Sequence, residues 1–230
     1  MVPSEKTALI VGASGLVGSF CLRLLLQSNR YEKVIAVGRK PLPMQHPRLR
    51  QLVVDFDILD TYKHSLIADD IYCALGTTIK EAGSKENFYK VDFTYVVQLA
   101  QITAANKANQ FLVVSALGAS AQSSVFYSRV KGQMEAAVKS MTFPGIHIFQ
   151  PSLLLGPRQE KRLGESAASV VMQKMSFLLV GPLGKYKAVE AADVAKAMLY
   201  AALQDDTGIK IHSSEKIKQE AALLPDITFH

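Results

Sequence analysis

This chain has no tryptophan, only two cysteines and no apolar run long enough to span a bilayer as a clean helix. Cys21 and Cys73 stand apart inside apolar stretches, without a CxxC or a Cys/His cluster. Disulfide frameworks and zinc sites are therefore not expected, and the chain reads as cytoplasmic and reduced. The five histidines, His46, His64, His147, His212 and His230, are isolated and share no metal-ligand spacing, so no metal site is expected. The apolar N-terminal segment TALIVGASGLVG is broken by glycines and runs into a helical pattern, unlike a signal peptide. Ser169 to Gly184 is the other apolar segment, but it is short, carries Lys174 and ends in Gly-Pro.

Acidic residues are in the minority, 20 against 26 Lys and Arg, for a net charge of +6. The cations are scattered as Arg39-Lys40, Arg48/Arg50, Arg158/Lys161/Arg162 and Lys185/Lys187, without interleaved aromatics. That distribution points away from nucleic acid and towards a phosphorylated small molecule. Neither internal repeats nor low-complexity linkers occur, and 230 residues with 49% hydrophobic content suit one compact domain.

What the chain does have is alternation. Short β-branched runs, at Ala8–Val11, Val34–Val37, Leu52–Val54, Ile71–Ala74, Phe111–Ser115 and Ile146–Phe149, are separated by amphipathic stretches. Helices are expected from Leu16 to about Ser28, Lys85 to Ala108, Val125 to Met141 and Ala192 to Leu203. This is the pattern of βαβ units, and it predicts a Rossmann-type, doubly wound parallel sheet. RKPLPMQHPRLR reads as a loop between the second and third strands. After Pro151 the alternation fades, and residues about 151–190 are expected to form a small region lining the substrate side.

Directly after the first strand, ALIVGASGLVGSF places Gly12, Gly15 and Gly18 at the opening of a helix. Gly12 allows a tight turn, Gly15 lets backbone N–H groups approach a pyrophosphate, and Gly18 lets the helix pack on the strand. At the tip of the second strand, where a carboxylate would read the adenosine ribose of NAD(H), the chain has Gly38, Arg39 and Lys40. The two cations can pair with a 2′-phosphate, which favours NADP(H) over NAD(H) without excluding the latter; read plainly, they are loop cations. Glu32 precedes the strand and is badly placed for the ribose. Asp55, after the third strand, can accept from an adenine amino group or cap a turn. Leu75, Gly76, Thr77 and Thr78 follow the fourth strand in a small-residue loop suited to the cofactor's nicotinamide side.

The fifth strand ends at Ser115, and Tyr127 and Lys131 follow four residues apart in a helical segment, hence on one face. A free phenol, with a pKa near 10, is a poor base at neutral pH, but a neighbouring ammonium favours the phenolate. Ser115 lies at the end of the sheet where ligands bind, and its hydroxyl can polarise a substrate oxygen. Such Tyr/Lys spacing also arises by chance on helix surfaces; the upstream glycine turn gives it meaning.

GASGLVG, Ser115 and YSRVK together resemble the short-chain dehydrogenase/reductase superfamily, and the GxxGxxG spacing is similar to its extended and atypical members. Further stretches, GRK, VVDFD, CALGTT, FYKVDFTYV, YSRVKGQMEA, PSLLLGPRQE and VEAADVAKAM, resemble atypical members related to the Tat-interacting protein and to a fungal mitochondrial protein of similar size. The resemblance implies NADP(H) held by Gly12, Ser14, Gly15, Leu16 and Val17, with Arg39 and Lys40 at the 2′-phosphate. It implies Tyr127 as general acid/base, Lys131 on the nicotinamide ribose, Ser115 as carbonyl polariser, and Pro151 to Leu154, including Leu153, beside the nicotinamide.

The implied activity is hydride transfer between the nicotinamide and a small carbonyl or alcohol. The alternative is a cofactor-binding regulatory or redox-sensing protein with little turnover, as is thought of several atypical members. In this chain Asp92 stands where many relatives have an asparagine, and the region after Pro151 is short for gripping a nucleotide sugar. Arg158, Gln159, Glu160, Lys161 and Arg162 either line a substrate mouth or form a solvated loop. The helix beginning near Lys85 resembles one through which superfamily members dimerise, which allows a homodimer.

Overall fold

The computed structural model describes residues 6–156 and 188–224. The basic loop at Arg158–Arg162, the apolar segment at Ser169–Gly184, Lys185/Lys187 and His230 lie outside the described residues. So does most of the expected substrate-side region.

Seven strands form one parallel sheet: β1 (Lys6–Val11), β2 (Tyr31–Gly38), β3 (Leu49–Val53), β4 (Asp70–Cys73), β5 (Gln110–Val114), β6 (Gly145–Gln150) and β9 (Gly208–Ser213). Their order is β3-β2-β1-β4-β5-β6-β9, every pair parallel. Two short strands, β7 (Leu154–Leu155) and β8 (Val189–Glu190), pair separately. The helices are α1 (Leu16–Gln27), α2 (Ile79–Ala82), α3 (Lys85–Tyr89), α4 (Tyr95–Ala105), α5 (Phe126–Lys139), α6 (Ala191–Leu203) and α7 (Ser214–Ala222). A 3₁₀ segment covers Phe56–Ser65 and a π-helical turn covers Lys90–Thr94.

A central parallel strand is covered on both faces, which is why β1 is an unbroken apolar run from Ala8 to Val11. Ala8 and Ile10 face one core with α1 and α6, whereas Leu9 and Val11 face the other with α4, α5 and the 3₁₀ segment. The chain winds β1-β2-β3 to one side and β4-β5-β6 to the other. Strand order therefore reverses between β1 and β4, and beyond the strands' C-terminal ends at such a reversal is where open α/β sheets bind their ligands.

Three features differ from the sequence expectation. The stretch expected as one helix from Lys85 to Ala108 is interrupted by the π turn and ends at Ala105. The 3₁₀ segment has no counterpart in the sequence pattern. Nor do β9 and α7, which join the sheet where alternation fades. In β9 the usual pattern is inverted: Ile209 and Ile211 are exposed on the edge strand, and His212 is buried.

That inversion brings two histidines together. His147 Nδ1 lies 3.1 Å from His212 Nε2, and His212 Nδ1 lies 2.7 Å from Glu220 Oε2 on α7. Phe149 stacks on His212 with ring centroids 4.3 Å apart. Burial, then the neighbouring His212, pulls the His147 pKa down to about 4.

The N-terminal ends of the strands are closed by a polar network. The Tyr31 hydroxyl donates to Asp70 Oδ2 at 2.8 Å and lies 2.7 Å from the Tyr72 hydroxyl. Gln110 Nε2 donates to Asp70, to the Ala202 carbonyl and to Asp205. Arg30 and Lys6 pair with Asp205 at 2.5 and 2.7 Å. Burial raises the Asp70 pKa despite the bond from Tyr31. No helix among the described residues is long and apolar enough to cross a membrane.

Candidate functional site

The glycine turn joins β1 to α1. Gly12 has φ +85°, and a Cβ there would stand 2.5 Å from the Ala74 carbonyl oxygen, so glycine is required both for conformation and for the approach of the β4 end. A Cβ on Gly18 would stand 2.1 Å from the Gly12 oxygen, which explains the close packing of α1 under the turn. Gly15 is different: it is exposed and its N–H donates to the Gly12 carbonyl at 2.9 Å. It is also the N-cap of α1 and offers no side-chain cap. The first N–H groups of α1 thus have no side-chain cap, with exposed Ser14 and half-buried Leu16 at the rim and Val17 buried beneath. This cradle fits a pyrophosphate.

Arg39 and Lys40 follow β2 at the same end of the sheet, both exposed and neither paired with an acid among the described residues. Glu32, second in β2, lies at the opposite end of that strand. Asp55 caps the 3₁₀ segment, Oδ1 accepting from Asp57 N–H at 2.9 Å. Pro151 follows β6, and its carbonyl accepts from Leu117 N–H at 2.9 Å. Leu153 beside it is exposed.

After β4 the loop Leu75, Gly76 and Thr77 runs to Thr78, whose hydroxyl caps α2. The Thr77 N–H donates to Asp92 Oδ2 at 2.9 Å, and Asp92 Oδ1 stands 2.7 Å from Lys131 Nζ. Asp92 is fully buried and sits in the π turn, where an extra residue per turn re-aims side chains; such turns recur at functional sites. Lys131, on α5, is also buried. Burial opposes its ammonium, but Asp92 and then Tyr127 outweigh that, and its pKa is raised. A Cβ on Gly76 would lie 3.5 Å from Asp92 Oδ1 and 3.7 Å from Lys131 Nζ, so the loop passes directly over the pair.

Tyr127, one turn earlier on α5, is 37% exposed. Its ring packs on Phe88 at 5.6 Å, and its hydroxyl has no hydrogen bond among the described residues. Ser115 is buried at the end of β5. Its N–H donates to the Phe149 carbonyl and its hydroxyl donates to Glu135 Oε1 at 2.5 Å. Glu135 also accepts from Gln150 Nε2 at 2.9 and 3.1 Å and from Lys139 at 3.3 Å.

The structure therefore gathers Gly76, Thr77, Lys131 and Asp92 into one cluster, with Tyr127 exposed beside it and Ser115 bonded to Glu135. The turn, Arg39-Lys40, Asp55 and Pro151 line the same end of the sheet without touching that cluster. Sequence reasoning missed Glu135 altogether and met Asp92 only as a departure from an asparagine. Glu135 carried a signal: it is an acid four residues after Lys131, on the helix stripe that Tyr127 and Lys131 share. No group of acids, histidines and cysteines among the described residues is arranged to hold a metal.

Known proteins agree with this architecture. The model of the NAD dependent epimerase/dehydratase family matches residues 8–213. The chain is 36% identical over 199 residues to Protein HTATIP2 of Rattus norvegicus, covering 85% of this chain and 80% of that protein. It is 31% identical over 202 residues to the mitochondrial Protein FMP52 of Debaryomyces hansenii, covering 85% and 87%. Among solved structures, MoeE5 in complex with UDP-glucose and NAD superposes with a TM-score of 0.68 at 16% identity, over 94% of this chain and 81% of that one. UDP-glucose 4-epimerase from Thermotoga maritima gives 0.64 at 16% identity, over 85% and 72%. At such identities these two likenesses speak for the fold alone. With its glycine turn, its parallel sheet and a family match over most of its length, the chain belongs to the NAD-dependent epimerase/dehydratase family, among relatives that include HTATIP2.

Proposed function

We propose that this chain is an NADP(H)-dependent oxidoreductase acting on a small carbonyl or alcohol, with Tyr127 as general acid/base. One observation carries the reading: a buried ammonium, Lys131, held by buried Asp92 beneath the post-β4 loop and one helical turn from a partly exposed tyrosine, Tyr127, whose hydroxyl has no hydrogen bond among the described residues. Burying a charged pair is costly and adds little stability, so its presence beside Tyr127 favours a chemical role.

Gly12, Ser14, Gly15, Leu16, Val17 and Gly18 would hold the pyrophosphate of the dinucleotide, and Arg39 and Lys40 a 2′-phosphate. Asp55 would meet the adenine, and Leu75, Gly76, Thr77, Pro151 and Leu153 the nicotinamide side. When bound, NADP(H) supplies or accepts the hydride. The chain's own part is proton transfer at the Tyr127 hydroxyl, with Lys131 keeping a positive charge next to it. Asp92 keeps that ammonium in place and ties it, through Thr77 N–H, to the loop. Polarisation of the substrate oxygen falls to Ser115, which requires its hydroxyl to turn away from Glu135.

Engagement of the Ser115 proton by Glu135 is also the one observation favouring a second reading, a cofactor-binding regulator with little turnover. Under either reading the partner is a small molecule and the setting cytoplasmic and reduced, in keeping with two buried free thiols, Cys21 and Cys73. The homodimer that the helix from Lys85 suggests belongs to the same proposal.

Cofactor titration tests the choice of dinucleotide. Followed by nicotinamide fluorescence, the protein should bind NADPH at least ~10-fold more tightly than NADH, and Arg39→Ala with Lys40→Ala should erase the difference. Equal affinity for both in the unmodified chain would refute the NADP(H) preference, and no binding of either would refute the reading itself.

A further inference from the structure

Resting on the oxidoreductase reading, we infer that Glu135 is a positioning residue that sets the hydrogen-bond polarity of Ser115 and so restrains its use towards a substrate oxygen. A serine hydroxyl has one proton. Here that proton is directed at a buried carboxylate 2.5 Å away, the length of a charge-assisted O–H···O⁻ bond. The Ser115 oxygen then offers only lone pairs elsewhere, and a lone pair repels the carbonyl oxygen that the residue would have to polarise.

Rotation of the serine alone does not relieve this at low cost. Its backbone is tied to β6 through the Phe149 carbonyl, and Glu135 is itself fixed by two bonds from Gln150 and one from Lys139. The carboxylate would be left buried and short of a donor whenever the serine turned away. Ser115 is therefore held in a resting orientation, and freeing its proton is a step separate from the chemistry at Tyr127.

The isosteric change Glu135→Gln inverts the arrangement. With the amide nitrogen in the place of Oε1, it donates to the Ser115 oxygen and gives up the 2.9 Å bond from Gln150, whose Nε2 then bonds only to the amide oxygen in the place of Oε2, which also accepts from Lys139. The opposite amide orientation is disfavoured by Lys139, whose ammonium the new NH₂ group would then face in the place of Oε2. The serine proton is then free to point elsewhere.

Two measurements decide the inference. Neutron diffraction from deuterium-exchanged crystals of the unmodified protein should place the Ser115 deuteron on the line to Glu135; a deuteron pointing elsewhere overturns the inference whether or not the protein turns over. Kinetics then use NADPH with an aromatic α-diketone as probe. E135Q should raise kcat roughly tenfold, about one charge-assisted hydrogen bond, and S115A/E135Q should fall back to the S115A rate. A loss of rate in E135Q, or a gain that survives in S115A/E135Q, overturns the inference and indicates packing alone. Failure of the underlying reading looks different: NADPH stays unoxidised in both proteins, or Tyr127→Phe retains full activity. The deuteron position then supports or overturns the assignment to Glu135 by itself.

Discussion

The two ends of the sheet bury polar groups to opposite effect. At the N-terminal end Tyr31, Tyr72, Asp70 and Gln110 bond to one another, and Arg30 and Lys6 bind Asp205 at their margin. At the C-terminal end Lys131 is paired with Asp92 and Ser115 with Glu135, but Tyr127 is partly exposed and its hydroxyl has no hydrogen bond among the described residues. The first network fastens strand starts to the end of α6. The second leaves the Tyr127 hydroxyl without a partner among the described residues, and under the proposed function that hydroxyl exchanges a proton with a ligand. Buried polarity alone does not mark a site; buried polarity arranged around an open reactive atom does.

Breaking one charge at each end sharpens the contrast, and the largest effect is expected from Asp92→Asn. It leaves the Lys131 ammonium buried without its carboxylate, at a cost of about 3–5 kcal/mol in chemical denaturation, and it frees the Thr77 loop, so NADPH affinity should fall as well. A loss under ~1 kcal/mol would mean that the pair is solvated and carries no such role.

An intermediate effect belongs to the middle of the sheet. His147 is a base whose pKa is depressed from 6.5 to about 4 in the folded chain. The unfolded chain therefore binds more protons between those values. Stability is full above pH ~6.5 and declines as pH falls towards 4, by up to about 3 kcal/mol. His147→Leu should flatten the slope of denaturation free energy across that window; an unchanged slope would assign it to other groups.

The smallest effect is expected at the N-terminal end. Asp70→Asn keeps the shape and loses charge-assisted bonds from Tyr31 and Gln110, at about 1–3 kcal/mol, with NADPH affinity unchanged. A fall in NADPH affinity there would erase the distinction between the two ends.

What could be read in advance follows the range of the interactions. The glycine turn is legible because tight turn, helix start and strand packing fall within seven consecutive residues, Gly12 to Gly18. The strands are legible because most of their positions, buried on both faces, are apolar. Tyr127 and Lys131 are legible because one helix sets their spacing. Glu135 shares that helix, yet its partner Ser115 reaches it from the end of a strand, and only the packing of α5 on β5 joins them. His147 and His212 are 65 positions apart and meet through a strand whose isoleucines face outward, so periodicity gives the wrong face. The π turn that aims Asp92 inward leaves no mark in a run, KVDFTYVVQLA, that reads as ordinary helix.

The central proposal is that the C-terminal end of the sheet performs proton transfer at Tyr127, and Tyr127→Phe addresses it most directly. NADPH oxidation over a panel of small carbonyl compounds should drop by ~100-fold or more in the variant, while NADPH affinity by fluorescence titration stays within about twofold. A variant that oxidises NADPH as fast as the unmodified protein would contradict the account.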